Sequence, residues 1–303
     1  MTSKKVKVSV CVTTKNESEE TIKKLLDALN HQSLKPDEII IIDAKDYNNC
    51  SRSEGRNLAI KKARNEIIVI TDAGCVPRKD WLKNLTVHLG GAKAHPLGVL
   101  ADVVAGGYKM IAKNSFQKAM RFYLGVSPRK FDKNFMPSAR SMAFTKTIWK
   151  KAGGFPEKLS GAAEDTLFNV NLIKAGAKFV TAKNAVVEWG MPTTIFNFFV
   201  KDGFFFLIFN YAVGDGQAGI WWHPVKRFQS HNIKILSIYP RYIIGLLLLV
   251  LSFKFSVFAL LLYILITLYL LYSYKKAGIY GPILQLVSDI AVMTGFIRGI
   301  MWK

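Results

Sequence analysis

VKVSVCVT (Val6–Thr13), EIIIID (Glu38–Asp43) and EIIVITD (Glu66–Asp72) are the three stretches on which the fold turns. Each is a nearly unbroken β-branched run rather than an alternating one, which is the pattern of strands buried on both faces. Between them, Glu17–His31 sets Ile22, Leu25, Leu26 and Leu29 at helical spacing, and Arg52–Arg64 reads as a second helix. Buried strands alternating with amphipathic helices predict an α/β fold, a doubly wound and mostly parallel sheet. Ligands of such sheets bind beyond the carboxyl ends of the strands. Thr13, Thr14, Lys15 and Asn16 follow the first strand, Asp43 ends the second and Asp72 the third. These residues are therefore expected to meet in one crevice.

Further along, the patterns predict a helix at Trp81–Leu89, a strand at Gly98–Ala105 and a short strand at Ser141–Phe144. A turn at Gly153-Gly154-Phe155, a helix at Asp165–Ala175 and a last strand at Lys178–Glu188 complete this part. Lys109–Lys133 mixes seven basic residues with Phe116, Phe122, Tyr123 and Phe131. That mixture suits a surface approaching a bilayer or a lipid phosphate, and equally suits solvated helix faces. Ile195–Val213 is crowded with Phe but broken by Lys201 and Asp202, as expected of an interfacial helix.

Of 303 residues half are hydrophobic, and 42 Lys and Arg stand against 21 Asp and Glu, a net of +21. So basic and aromatic a chain is neither an acidic disordered tail nor a low-complexity linker. Cys11, Cys50 and Cys75 form no Cys-x-x-Cys and leave one over, which rules out a disulfide scaffold. The five histidines show no paired ligand spacing, so no zinc site is expected.

From Ile235 onward only Asp289 is acidic, and Tyr242–Tyr274 carries the single charge of Lys254. As one helix that run would be about 50 Å long, against a hydrocarbon core of about 30 Å. A helical hairpin turning near Phe253-Lys254-Phe255 fits better, with Arg241 at one end and Tyr272, Tyr274, Lys275 and Lys276 at the other. The alternative is a buried hairpin in a soluble core. Gly278–Trp302 is also apolar, but Pro282, Asp289 and Arg298 interrupt it; a third crossing, a re-entrant segment or an interfacial helix would each fit. The expected organisation is a domain at 1–193, an interfacial amphipathic segment at 194–234 and a membrane domain at 235–303. That domain would hold the hairpin at about 235–274 and a third segment at 279–300. No secretory signal opens the chain, so the first domain is expected on the cytoplasmic face.

Candidate chemistry sits at the strand ends. Asp72, followed by Ala73-Gly74, can coordinate a divalent cation or accept a ribose hydroxyl; helix capping is a job for which Asp80 is better placed. Asp43 can accept the N–H of a nucleobase. Arg52, Arg56 and Asn57 open the next helix, where guanidinium and free N–H groups suit a pyrophosphate. Glu164-Asp165 opens a later helix: capping would explain one carboxylate, and two adjacent acids add a candidate general base. Gly214–Gly219 is formally G-x-G-x-x-G but has no following helix, and reads as a loop.

Together VSVCVTTKN, EIIIIDA, EGRNLAIKKARNEIIVITDAG, SARSMAFTKTIWKKAGGFPE and AEDTLFNVNLIKAGAKF resemble the family 2 glycosyltransferases, inverting enzymes with a GT-A-type nucleotide-binding domain. The likeness covers roughly residues 6–220. It implies that Asp165 is the catalytic base with Glu164 beside it. It also implies that Thr13, Thr14, Lys15, Asn16, Asp43, Arg52, Arg56, Asn57 and Asp72 hold the nucleotide-sugar. A divalent cation (Mg2+ or Mn2+) on Asp72 is implied too, and Gly74, standing where the second metal-binding acid usually lies, argues against it. Basic groups such as Lys15, Arg52 or Arg56 would then share the diphosphate's charge. The processive synthases' Gln-x-x-Arg-Trp motif is not found, which favours one sugar per encounter. Membrane lipids are expected as surroundings and a lipid-linked glycan or glycolipid hydroxyl as acceptor; a polyprenyl phosphate is the alternative. A membrane-anchored nucleic-acid binder would explain the charge but not the strand-end acids. A non-catalytic scaffold would explain Gly74.

Overall fold

The computed structural model describes residues 7–89, 101–124, 135–159, 162–195, 203–219 and 235–302. Parts of several expected features lie outside these residues: the start of the Gly98–Ala105 strand, the end of the Lys109–Lys133 segment, Ser160-Gly161, Phe196, Phe198, Phe199, Lys201 and Asp202. Two compact units are formed. The first comprises Met1–Ile111, Gly125–Ser160 and Glu164–Gly190; the second comprises Ala112–Leu124, Gly161–Ala163 and Met191–Lys303.

In the first unit the opening strands and helices follow the expected order: β1 (Val8–Thr14), α1 (Glu19–Asn30), β2 (Glu38–Asp43), α2 (Arg52–Lys62) and β3 (Ile67–Asp72). Helix α2 starts where Ser51 and Glu54 form a reciprocal capping box, Glu54 N–H on Ser51 Oγ at 3.2 Å and Ser51 N–H on Glu54 Oε2 at 2.6 Å. β4 (Cys75–Pro77), α3 (Trp81–Thr86), β5 (Val103–Ile111), β6 (Met142–Thr145), α5 (Lys146–Lys151), α6 (Glu164–Lys174) and β7 (Phe179–Gly190) follow. Asp80 does precede α3, yet its carboxylate makes no cap bond and accepts the Ser33 hydroxyl instead, at 2.6 Å.

The seven strands lie in the order β2-β1-β3-β6-β5-β7-β4. β1 pairs in parallel with β2 and β3, and β5 in parallel with β7; β6 runs antiparallel to both β3 and β5, and β4 antiparallel to β7. The α/β reading holds, and the sheet expected to be mostly parallel is mixed, with as many antiparallel as parallel pairings. Side-chain alternation along the strands separates two cores. Val8, Val10, Val12, Ile67 and Val69 face Leu25, Leu29, Trp81 and Leu85 on one side. Cys11, Ile42, Ile68 and Ile70 face Ile60, Phe144, Phe155 and Phe168 on the other. The three cysteines are buried and free.

In the second unit α4 (Ser115–Leu124) carries part of the basic-aromatic segment. Its Tyr123 hydroxyl donates to the Gly281 carbonyl, and Phe116 meets Tyr280 edge-on. Among the described residues it also holds helices α7 (Phe204–Ala218), α8 (Ile238–Ser252), α9 (Ser256–Ala277) and α10 (Gly281–Met301). Gly214–Ala218 is therefore helix, a correction to the expected loop. The reason is tertiary: α7 and α10 meet through small residues. A Cβ on Gly216 would lie 2.5 Å from the Phe296 carbonyl oxygen, and one on Gly299 would lie 2.2 Å from that of Val213. Glycine is required there by backbone approach, not by phosphate. Helices α8 and α9 are separated at Phe253–Phe255, with the Tyr242 and Tyr269 hydroxyls 3.2 Å apart. Asp289, 1% exposed, accepts from Tyr242 (3.0 Å), Tyr269 (3.2 Å), Gln285 (2.8 Å) and Arg241 (3.4 Å), tying α8, α9 and α10 together. Among the described residues one helical run, Ser256–Met301, is long and apolar enough to cross a membrane.

Candidate active site

Parallel register brings the predicted strand-end residues side by side: Thr13 stands beside Asp72, and Thr14 beside Asp43. Asp43 accepts the Lys45 N–H at 3.0 Å and closes the turn after β2. Lys15 and Asn16 are exposed just past β1, where both backbone N–H groups bind Glu17 Oε2. The Lys15 ammonium reaches the carbonyls of Asn49 and Cys50 at 3.3 and 3.5 Å. Arg52 is exposed at the start of α2. Among the described residues the Thr13 and Thr14 hydroxyls have no hydrogen-bond partner.

Arg56 lies at the centre of the site. It is buried, and it donates Nη1 to Glu164 Oε1 at 2.6 Å and Nη2 to Asp72 Oδ1 at 2.8 Å. Phe155 lies beneath the guanidinium, 5.5 Å from its ring centre. Burial opposes the charge on Arg56, but the two carboxylates outweigh it and raise its proton affinity further. Arg56 therefore joins the end of β3 to the first turn of α6, instead of pointing free toward a pyrophosphate.

Asn57, also assigned to the nucleotide from sequence, has protein partners on every polar atom. Its Oδ1 accepts from Phe155 N–H (2.8 Å) and Trp149 Nε1–H (3.1 Å). Its Nδ2 donates to Phe155 O (2.9 Å) and Glu157 Oε1 (2.7 Å). These bonds hold the Gly153-Gly154-Phe155 turn, whose glycines take φ of 81° and 77°, a region open to glycine at little cost.

The two acids of the Glu-Asp pair diverge. Glu164 is committed to Arg56. Asp165 keeps a partly exposed carboxylate that accepts from Ala139 N–H (3.2 Å) and Thr166 N–H (2.8 Å). Burial first, and the neighbouring Glu164 second, raise the Asp165 carboxyl above its ordinary value; Arg56 and Arg140 offset this in part. Asp72 moves the other way. Burial alone would raise it, but Arg56, Arg140 and Arg52 together hold it below its ordinary value. The two acids thus have opposed proton affinities, Asp72 favouring its ionised form and Asp165 its protonated one.

Arg140 was not foreseen. Ile70 pairs with Met142 in the antiparallel β3–β6 register, which carries Arg140 to the level of Asp72. Its Nε lies 3.9 Å from Asp72 Oδ2, and its guanidinium is 3.9 Å from the Trp189 ring centre and 5.1 Å from that of Tyr108. The residues that a metal would need do not fit one. Guanidinium groups flank both oxygens of Asp72, Gly74 adds no acid, and among the described residues no cluster of three or more His, Cys, Asp or Glu is placed to hold an ion.

A raised carboxyl at a helix start, facing anionic and cationic groups at strand ends, suits transfer to a hydroxyl and places the molecule among α/β transferases. Comparison with known proteins narrows this: the profile of glycosyltransferase like family 2 matches residues 3–202, and the chain belongs to that family and is a glycosyltransferase. It is similar to the O-antigen chain rhamnosyltransferase RfbN of Salmonella typhimurium, 28% identical over 54% of this chain and 60% of the relative. The mannosyltransferase PcManGT of Pyrobaculum calidifontis, solved with GDP-Man and Mn2+, shares the fold with a TM-score of 0.59; it is 18% identical, over 96% of this chain and 87% of that one. The S. aureus TarS structure aligns at a TM-score of 0.47 and 19% identity, over 74% of this chain and 41% of its own length. The chain thus spans well under the whole length of RfbN and TarS.

Proposed function

We propose that the chain is a membrane-bound, inverting transferase moving one sugar from a nucleotide-sugar to a hydroxyl of a lipid-linked glycan or glycolipid. The observation that carries this reading is the Asp165 carboxyl, held by Ala139 N–H and raised by burial and Glu164. A neutral hydroxyl needs such a base; a phosphate acceptor is already ionised and does not. In the proposed step the acceptor oxygen attacks the anomeric carbon as the bond to the diphosphate breaks, and its proton passes to Asp165. Asp72, with Asp43 and the loop after β1, positions the donor. Asn57 and Arg56 hold the frame on which these groups stand.

Membrane attachment is supported by the exposure of residues that water would not tolerate in such number: Leu246 is 63% exposed, Leu260 58% and Leu268 59%. A hairpin buried in a soluble core would hide them. Helix α4 adds an exposed basic and aromatic face at Lys118, Arg121 and Phe122, suited to a cytoplasmic headgroup surface.

The test is transfer by the purified full chain in detergent, with native membrane lipids as acceptors and a panel of UDP-, GDP- and dTDP-sugars. A sugar-sized gain in lipid mass, lost in Asp165→Asn, is expected. Equal transfer by Asp165→Asn would shift the acceptor to a lipid phosphate. Neither transfer nor nucleotide binding would overturn the reading.

A further inference from the structure

Length does not decide what α10 does. Its 21 residues make a helix of about 31 Å, enough to span a hydrocarbon core of about 30 Å. Its partners do decide. In chain order, Gln285 accepts from Lys276 near the end of α9 (3.1 Å), Asp289 accepts from Tyr269 of α9 and Tyr242 of α8, and the Met293 carbonyl accepts from Tyr239 of α8 (2.9 Å). Phe296 then packs with Ile235, which precedes α8. A helix crossing the bilayer beside the hairpin would meet residues ever farther from its Arg241 and Lys275 end, such as Leu249 or Leu261. Helix α10 instead passes from one arm to the other and leaves beyond the start of α8. Burial among the described residues agrees: no residue of α8 is buried, and along α9 only Ser273 and Ala277 are, both in its last two turns. Helix α10 therefore lies across one end of the hairpin and leaves the hairpin's body uncovered.

The two faces of α10 differ. Its inner face closes on α7, where a Cβ on Gly295 would stand 2.5 Å from the Phe209 carbonyl oxygen. Its outer face exposes Ile283, Leu286, Ile290, Ile297 and Met301, which fall on one stripe at helical spacing. Arg298 and Trp302 end it, the guanidinium 4.4 Å from the indole ring, a cation and an aromatic of the kind that sits at headgroup level. We propose that α10 is a membrane-surface helix. It does not cross, but lies in the plane of the bilayer with its outer stripe in the boundary between headgroups and acyl chains, on the side that holds both ends of the hairpin. Lipid is the occupant because the stripe continues, through exposed Ile279 in the turn after α9, into the uncovered apolar surface of the hairpin. The inference rests on the membrane-bound reading above. It also moves the interfacial role along the chain: Phe204, Phe205, Phe206 and Phe209 of α7 are buried or half-buried, so α10 and not α7 presents the exposed stripe.

The experiment is a depth measurement by spin labelling of the full chain, reconstituted in vesicles of phosphatidylethanolamine and phosphatidylglycerol. One nitroxide is placed on Leu286→Cys, Ile290→Cys or Ile297→Cys, and on Leu260→Cys as the reference within the hairpin. The native cysteines are buried, and the unsubstituted chain corrects for any label they take. Collision of the nitroxide with oxygen, compared with a water-soluble nickel chelate, gives its depth. The three α10 sites should lie in the boundary region within about 5 Å of one another, and the Leu260→Cys site deeper. A helix that crosses or re-enters would rise 1.5 Å per residue and separate Leu286 from Ile297 by about 15 Å. A spread wider than about 5 Å, or three α10 sites in water beside a deep Leu260→Cys site, would overturn this inference and leave the membrane hairpin standing. A Leu260→Cys site in water would overturn both.

Discussion

Replacing Arg56 by Met keeps the volume of the stem and removes the charge that joins Asp72 to Glu164. Glu164 is then left buried with no cation, having lost a 2.6 Å bond. Asp72 suffers less, because it is a third exposed and retains Arg140. Stranding one partner of a buried ion pair costs about 3–5 kcal/mol, and nearly all of that falls on Glu164. For a unit of this size such a loss lowers the melting temperature by about 6–20 °C. The deficit should also depend on pH in a definite sense. Stranded carboxylates bind protons more readily folded than unfolded, so the folded state gains as pH falls and the gap to wild type narrows between about pH 8 and pH 5.5. The wild type loses nothing from Asp72 in that window. Its depressed carboxyl contributes stability that is complete above the ordinary value of 3.8 and is lost only as pH falls below it. The assay is thermal unfolding of the detergent-solubilised chain at both pH values, with Arg56→Met/Glu164→Gln as the partner variant. The double variant has no stranded glutamate and should recover most of the loss. A deficit below about 1 kcal/mol, or one that widens on acidification, would refute the argument.

Asn57→Ala leaves the Phe155 N–H and the Trp149 indole N–H buried without acceptors and should cost about 3 kcal/mol, measured by urea unfolding. A change under about 0.5 kcal/mol would return Asn57 to the nucleotide. Asp165→Asn should lower transfer about 10²- to 10⁴-fold with the fold intact. Because the Asp165 carboxyl is raised, the wild-type rate should climb with pH through a limb above the ordinary 3.8, and the variant's profile should lack that limb. Gly299→Leu forces a side chain against the Val213 carbonyl and should loosen α7 from α10. The cost is about 3 kcal/mol, read as faster proteolysis within the second unit while the first unit's unfolding is unchanged.

The sequence by itself determined the parts that depend on local pattern. Unbroken β-branched runs bounded by turn residues are the pattern of strands buried on both faces, so β1, β2 and β3, with Thr13, Thr14, Asp43 and Asp72 at their ends, were legible from VKVSVCVT, EIIIID and EIIVITD, while their register came from the structure. The break at Phe253–Phe255 was legible too, since one apolar helix of that length exceeds a bilayer. What escaped was partnership across the chain. Nothing local says that β6 runs antiparallel beside β3, and that direction alone carries Arg140 to Asp72. The pattern of α2 marks Arg56 and Asn57 as polar residues near a helix start, but whether a guanidinium meets phosphate or two carboxylates is decided by where α6 and the Gly153–Phe155 turn arrive, 98 to 108 residues later. Gly216 looked like loop punctuation because glycine serves loops and close helix contacts alike; only the meeting of α7 with α10 distinguishes the two. Hydrophobic periodicity fixes which face of an element is buried, and leaves open which distant residue it is buried against.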